Sequence, residues 1–218
     1  MTDPTVHIVI PTLDGKIEQE CLLGLLETWG KIPCELSLPK GCYIGRNRDI
    51  GTAEFLDGDC THILYVDADI SWRFSDLEKL LELNTGFAFG RYPHKGPTWK
   101  RGWVARGESS GIALMGTKGR LVDAVEWERC GGGFVLLSRS AVERMCEMYP
   151  GFRYVDPVGR ELHGLWWMDG LRMGPHGEAV CEGEDYAVCR RWRELGERIF
   201  TRNDVSLGHV GSCTYRMY

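Results

Sequence analysis

No feature constrains this chain more than an apolar strand that runs directly into two acids. His62 to Val66 is a short run of β-branched, aliphatic and aromatic residues, the composition of a buried central strand. Asp67 and Asp69 follow at once. If the backbone stays extended, residues i and i+2 point the same way. Two carboxylates on one side of a strand end repel each other unless a cation lies between them, and a hard divalent cation with oxygen ligands is the simplest partner.

The segments before and after this strand alternate in period. Val6 to Ile10 reads as a strand closed by Pro11. Lys16 to Trp29 carries Ile17, Cys21, Leu22, Leu25 and Leu26 at helical spacing. Cys34 to Leu38 reads as a second strand. Tyr43 to Asp49 then leads into a helix through Ala53, Phe55 and Leu56. Beyond the Asp pair, Ser75-Asp76-Leu77-Glu78 has the form of a capping box opening a helix to about Asn84. Gly86 to Gly90 is another strand. Such alternation predicts an α/β fold, a single Rossmann-like domain over 1–218 with a mixed, mostly parallel central sheet flanked by helices.

In such sheets ligands bind beyond the carboxyl ends of the strands. Pro11, Thr12 and Asp14 are therefore placed at a ligand edge, although a plain βα turn explains them equally well. Arg46 and Arg48 near a helix start are poorly placed for the helix dipole, which prefers anions there. A bound phosphate or base accounts for them, and so does a solvated, salt-bridged face.

The second half is less regular. Arg91 to Gly107 holds Arg91, Lys95, Lys100, Arg101 and Arg106, with Tyr92, Trp99 and Trp103 interleaved and no acid. Such a segment is suited to clamping a diphosphate, stacking a base or holding an anionic acceptor. Gly111 to Met115 and Leu121 to Glu128 read as strands. Gly131-Gly132-Gly133 allows a close backbone approach before the strand Phe134 to Leu137, and Ser140 to Glu143 reads as a second capping box, of a helix to about Met148. Pro150 to Val180 has weak periodicity and contains Trp166-Trp167-Met168-Asp169, either an acceptor-site lining or a set of hydrophobic plugs. Glu182 to Cys189 opens the last helix with acids in its first turn. Short strands at Arg198 to Thr201 and Val205 to Val210 carry the late His209.

Composition narrows the classes. The formal charge of −5 argues against a general nucleic-acid coat, without excluding one local basic surface. Nine cysteines, an odd number with no Cys-x-x-Cys pair, argue against a disulfide framework or a zinc site. No long apolar run and no signal peptide are visible, so no membrane insertion and a cytoplasmic location (host cytoplasm for a viral protein) are expected.

Five features in order, Ile10-Pro11-Thr12, Asp67-Ala68-Asp69, Gly132-Gly133-Phe134, Glu184-Asp185 and His209, resemble GT-A-fold glycosyltransferases that use nucleotide sugars. The forms around Val66-Asp67-Ala68-Asp69-Ile70, Gly183-Glu184-Asp185-Tyr186 and Gly208-His209-Val210 look most like small GT-A proteins of tailed phages and large DNA viruses. The resemblance implies a nucleotide-binding half over 1–90 and an acceptor-binding, catalytic half over 91–218. It implies a DXD motif in which Asp69, with Asp67 directly or through water, and His209 hold Mn²⁺ or Mg²⁺ against the donor diphosphate. Pro11, Thr12, Asp14 and Arg46 would surround the base and ribose, with Asp67 an alternative ribose contact. Arg91 or Lys95 would assist the phosphates, and Gly132 and Gly133 would lie against donor sugar or acceptor. Asp185, with Glu184 as substitute, would be the base of an inverting transfer. The donor is a nucleotide-diphosphate sugar, UDP being the commonest base. The acceptor is a glycan, a small molecule or a hydroxymethylated base of phage DNA.

Two other classes fit parts of the chain. One is a non-catalytic nucleotide-sugar- or nucleic-acid-binding module. The other is a haloacid-dehalogenase-like phosphatase, whose Asp-x-Asp-x-(Thr/Ser) pattern Asp67 to Ser71 matches; in that family the motif follows the first strand, whereas here at least two strands precede it.

Overall fold

The computed structural model describes residues 3–95, 105–168, 171–173, 177–211 and 214–215. The first half follows the alternation of period. Strand β1 (Val6–Val9) leads to helix α1 (Gln19–Trp29), β2 (Cys34–Ser37), α2 (Ile44–Asp57) and β3 (His62–Val66). A two-residue strand β4 (Ile70–Ser71) then precedes α3 (Phe74–Glu82) and β5 (Phe87–Phe89). The second half contains β6 (Ala105–Met115), β7 (Leu121–Cys130), β8 (Phe134–Ser138) and α4 (Arg139–Met148). Short strands β9 (Arg153–Val155), β10 (Glu161–His163), β11 (Leu171–Met173) and β12 (Ala179–Cys181) follow. The chain continues through α5 (Glu184–Glu194), β13 (Ile199–Thr201), β14 (Gly208–Val210) and β15 (Thr214–Tyr215).

Eight strands form one mixed sheet in the order β2-β1-β3-β8-β5-β13-β7-β6. The expectation of a mostly parallel sheet is corrected. The β1–β2, β1–β3 and β5–β13 pairings are parallel, but β3–β8, β5–β8, β7–β13 and β6–β7 are antiparallel. The reason is β8, which inserts between β3 and β5, two strands that the β-α-β pattern alone would make neighbours.

Alternation along the strands splits the core in two. Ile8, Leu64 and Val66 face one side with Cys21 and Leu25 of α1 and Leu77 and Leu80 of α3. Val9, Ile63 and Tyr65 face the other with Phe55 of α2, Met145 of α4 and Trp192 of α5. Leu22 and Leu26, also at helical spacing on α1, are exposed at 42% and 60%. Pro150 to Val180 is less irregular than its periodicity implies, because β9 pairs with β10 and β11 with β12.

Both N-caps sit two residues earlier than the sequence pattern places them, and only α3 keeps a capping-box contact. Asp76 Oδ2 accepts from the Arg73 amide at 3.1 Å, so Arg73 caps α3. Ser138 Oγ accepts from the Ala141 amide at 3.2 Å and caps α4. No helix among the described residues is long and apolar enough to cross a membrane.

Candidate active site

Strand β3 ends at Val66, and the two acids that follow do not continue it. The Asp67 amide donates to Gly133 O at 3.0 Å and the Ile70 amide donates back to Asp67 O at 3.0 Å. Ala68 and Asp69 thus lie in a turn, and the extended-backbone reasoning that aligned the carboxylates does not apply. Asp67 faces Arg48, whose Nη2 donates to Asp67 Oδ1 at 2.6 Å. Asp69 faces Lys95, 2.5 Å from Oδ2, and His209, whose Nε2 is 3.5 Å from Oδ1.

His209 reaches this turn because β14 pairs antiparallel with β4, placing His209 opposite Ile70. The Val210 amide also donates to Asp69 O at 2.7 Å. The imidazole packs edge-on against Tyr92, ring centroids 5.2 Å apart. Its Nδ1 lies 2.9 Å from Pro93 O, a pure acceptor, so Nδ1 carries a proton and Nε2 is the ring nitrogen turned toward Asp69. Burial works to raise the Asp69 carboxyl, but the contacts with His209 and Lys95 outweigh it and hold the carboxyl below its usual range.

Asp67, Asp69 and His209 do not close into one three-ligand cluster. Among the described residues the grouping of three ligating side chains is His7, Glu35 and Cys60, elsewhere in the fold. Asp69 and His209 meet as a pair of side chains of ligating type, and Asp67 has one oxygen committed to Arg48.

Arg48 is the residue that sequence reasoning missed as a component of this site. Its side chain is 1% exposed, yet it gathers much of the site. Besides Asp67 it donates to Glu184 Oε1 at 3.0 Å and to Gly132 O at 3.2 Å, and its guanidinium lies 4.5 Å from the Trp166 ring centroid. A signal was present: Arg48, Gly51, Thr52 and Phe55 share one buried stripe of α2 at i, i+3, i+4, i+7 spacing. Arg46, one residue off that stripe, pairs with Asp156 at 3.6 Å. Both arginines therefore have protein carboxylates as partners, which accounts for them without a phosphate.

The glycines before β8 have a structural explanation as well. A Cβ at Gly132 would sit 2.7 Å from Arg48 Nη1, and one at Gly133 2.6 Å from the Tyr92 hydroxyl. Tyr92 Oη accepts from the Gly133 amide at 2.9 Å. Their missing side chains make room for Arg48 and Tyr92. Arg91 is also drawn inward: it is buried and donates to Asn203 O at 3.2 Å. Lys100, Arg101, Trp99 and Trp103 lie outside the described residues, as do Asp169 and the side chain of Arg106.

Two clefts meet at Ile44. One, of about 420 Å³, is lined by Pro11, Thr12, Asp14, Asp67 and Asp69. The structure thus brings together the residues placed at the ligand edge from sequence, except Arg46. The Thr12 hydroxyl is buried there without a partner among the described residues, while Asp14 pairs with Lys16 at 2.7 Å. The other cleft, of about 600 Å³, is lined by Tyr43, Arg46, Tyr154, Trp167, Met168 and Glu184, among others.

The second cleft is anchored from beneath. Asp49, fully buried, accepts from the Trp166 amide and the Tyr154 hydroxyl, each at 3.0 Å. Burial pushes its carboxyl up to about 7 even though those two donors pull it down. Arg191 donates to Leu165 O and Trp167 O. Trp166 is a plug, 1% exposed and edge-on to Tyr65, whereas Trp167, 52% exposed, faces the cleft.

Asp185 and Glu184 share the first turn of α5 in unlike environments. Glu184 is committed to Arg48 and lines the aromatic cleft. Asp185 accepts from the Tyr186 amide at 2.8 Å. Its carboxyl is pushed up to about 6, first by burial and then by the charge of Glu184.

No protein-family model and no curated protein sequence matches this chain. Among solved structures it is similar to A197 from STIV, with a TM-score of 0.56 at 16% identity, over 95% of this chain and 86% of that one. At that identity the likeness is one of fold. A nucleoside-diphosphate-sugar pyrophosphorylase from Vibrio cholerae RC9 overlaps at a TM-score of 0.43 and 8% identity, over 90% of this chain and 91% of that one. That overlap is too loose to bear on function.

Proposed function

We propose that this protein is a metal-dependent glycosyltransferase that moves a sugar from a nucleotide-diphosphate sugar, UDP-linked by preference, to an acceptor hydroxyl with inversion. The observation that carries this reading is the convergence of Asp69 and His209 Nε2 beside the cleft lined by Pro11, Thr12 and Asp14. One carboxylate and one imidazole oriented by a carbonyl suit Mn²⁺ or Mg²⁺, with donor oxygens completing the shell. A cation held there supplies charge neutralisation for the departing nucleoside diphosphate.

The chain's own residues do the rest. Thr12 offers an unpartnered hydroxyl at the edge of the donor cleft. Arg48 keeps Asp67 and Glu184 fixed across the junction of the two clefts. Lys95, half-exposed beside Asp69, is placed to move onto a phosphate when a cation takes the carboxylate. Asp185 is the better base of the pair. Its raised affinity for a proton suits abstraction from a hydroxyl near neutral pH, whereas Glu184 already has an oxygen committed to Arg48. In this reading 1–90 is the nucleotide half and 91–218 the acceptor half. Tyr154 and Trp167 give the acceptor cleft flat apolar faces of the kind on which sugar rings stack.

The test is a nucleotide-sugar panel with and without Mn²⁺, read by donor hydrolysis and by calorimetric binding. Asp69→Ala is expected to lose metal-dependent donor binding while still folding. If it binds metal and donor as the parent does, the reading fails. An acceptor of phage DNA predicts binding that weakens steeply with salt; no binding to hydroxymethylated DNA at low salt removes that acceptor.

A further inference from the structure

A second cluster of ligating side chains lies at the opposite ends of the same strands. His7 sits on β1, Glu35 on β2, and Cys60 just ahead of β3, whereas Asp67 follows β3. The ligand atoms of His7, Glu35 and Cys60 all lie within 4.8 Å of one another. They are far apart in sequence and form no ligand-spacing motif, which is why the cysteine pattern gave no sign of them.

Counting protons around His7 identifies what the cluster lacks. Glu54 Oε1 is 3.5 Å from Arg160 Nη1, as an ionised carboxylate would be, and Glu54 Oε2 accepts from the Ser37 hydroxyl. A hydroxyl has one hydrogen to give. Ser37 Oγ, 2.6 Å from His7 Nε2, must therefore accept there, so Nε2 carries the proton. In the neutral ring Nδ1 then holds a bare lone pair. That lone pair lies 3.0 Å from Glu35 Oε2, another acceptor. Two acceptors at this distance need something positive between them. That charge is either a second proton on His7, paired with Glu35, or a metal ion held between the two. A metal ion would also engage Cys60, whose thiol otherwise hydrogen-bonds to Glu35.

We propose that His7 Nδ1, a carboxylate oxygen of Glu35 and Cys60 Sγ bind Zn²⁺, with water in the fourth position. Mixed nitrogen, oxygen and sulfur donors within 4.8 Å of one another favour zinc over the harder Mg²⁺ or Mn²⁺. The Glu54–Ser37–His7 chain is the kind of outer support that fixes the tautomer of a ligating histidine. Glu35, 51% exposed at the side chain, opens the site to solvent for entry of the ion. The end of α2 is shaped to it: a Cβ at Gly58 would come 3.0 Å from Glu35 Oε2. Binding replaces the Cys60 thiol proton, which leaves to solvent. It ties the edge strand β2 to β1 and to the entry of β3, so the site is a structural staple remote from the Asp69 turn.

The test uses the full chain, stripped with chelator and titrated with Zn²⁺ and with Co²⁺. One tightly bound equivalent is expected, with a thiolate-to-cobalt charge-transfer band and a rise in melting temperature on adding Zn²⁺. Cys60→Ser should abolish the band and weaken Zn²⁺ at least about tenfold, as loss of a primary ligand should exceed loss of an outer one. If Cys60→Ser does not fold, Glu35→Gln at its half-exposed position weakens the metal and keeps the question open to measurement. Asp69→Ala should leave the cobalt band intact, which separates this site from the proposed catalytic one. The proposal is overturned by the absence of a thiolate band. It is equally overturned by a band that disappears in Asp69→Ala rather than Cys60→Ser, or by nitrogen-15 spectra showing His7 protonated at both nitrogens in the presence of Zn²⁺.

Discussion

Arg48 and Asp67 meet at 2.6 Å, guanidinium to carboxylate, with the arginine side chain 1% exposed and the aspartate 27%. The contact joins Asp67 to Glu184 through one guanidinium while Asp69 faces Lys95 and His209, so the two acids of the motif have different partners. It also makes Arg48 a point of failure. Arg48→Met should lower stability by about 3–5 kcal/mol, because it strips two partly buried carboxylates of their cation. Urea unfolding should show a lower midpoint at an unchanged slope. Arg48→Lys should recover little, since one ammonium cannot satisfy Asp67, Glu184 and Gly132 O together.

Lys95 and a divalent cation compete for Asp69. With the ammonium on Oδ2, metal binding must displace it. Lys95→Met should therefore tighten Mn²⁺ binding a few-fold in the absence of nucleotide, and weaken binding of the nucleotide-diphosphate sugar. Calorimetric titrations of Mn²⁺ alone and of donor in saturating Mn²⁺ read the two effects separately. Unchanged Mn²⁺ affinity would show that the ammonium does not guard the site.

Asp185 predicts a trade between activity and stability. As a base it must be ionised, so kcat/KM should rise with pH through about 6 and then level off. The sign for stability is opposite. A carboxyl raised above its unfolded value binds protons more readily when folded. Its favourable contribution is therefore lost as pH climbs from the unfolded value toward about 6. Asp185→Asn should abolish transfer, keep donor binding, and raise stability at pH 7–8 by on the order of 2 kcal/mol. The gain should vanish below about pH 4. Paired melting curves across pH test it.

Neighbouring tryptophans should part company. Trp166 lies in the core between Arg48 and Tyr65, so Trp166→Ala should cost about 3–5 kcal/mol. Trp167 is half-exposed at the aromatic cleft. Trp167→Ala should change stability by less than about 1 kcal/mol while raising the acceptor KM and leaving donor affinity unchanged. Equilibrium unfolding and steady-state kinetics on the pair distinguish plug from lining.

The local elements were legible from periodicity. His62–Val66 is a strand in both readings, and the helices of the first half were expected within a few residues of their ends. Parallel pairing was over-read, because no local pattern reports that β8 enters between β3 and β5. Within the candidate site, Pro11, Thr12, Asp14, Asp67 and Asp69 come to one cleft as the strand-end rule implies. Arg91, Gly132 and Gly133 also have packing partners, Asn203, Arg48 and Tyr92, which glycine and arginine do not announce in sequence.

By itself, then, the sequence determined where strands and helices form and that two acids follow the central strand, because hydrophobic period and turn chemistry act over a few residues. Only the tertiary structure decided what those acids face. The chain turns after Val66, Arg48 takes one acid from within the core, and β14 returns along β4 to bring His209 to the other. Those partners are 19 and 140 residues away along the chain. Burial and strand pairing choose them, and neither is a local property.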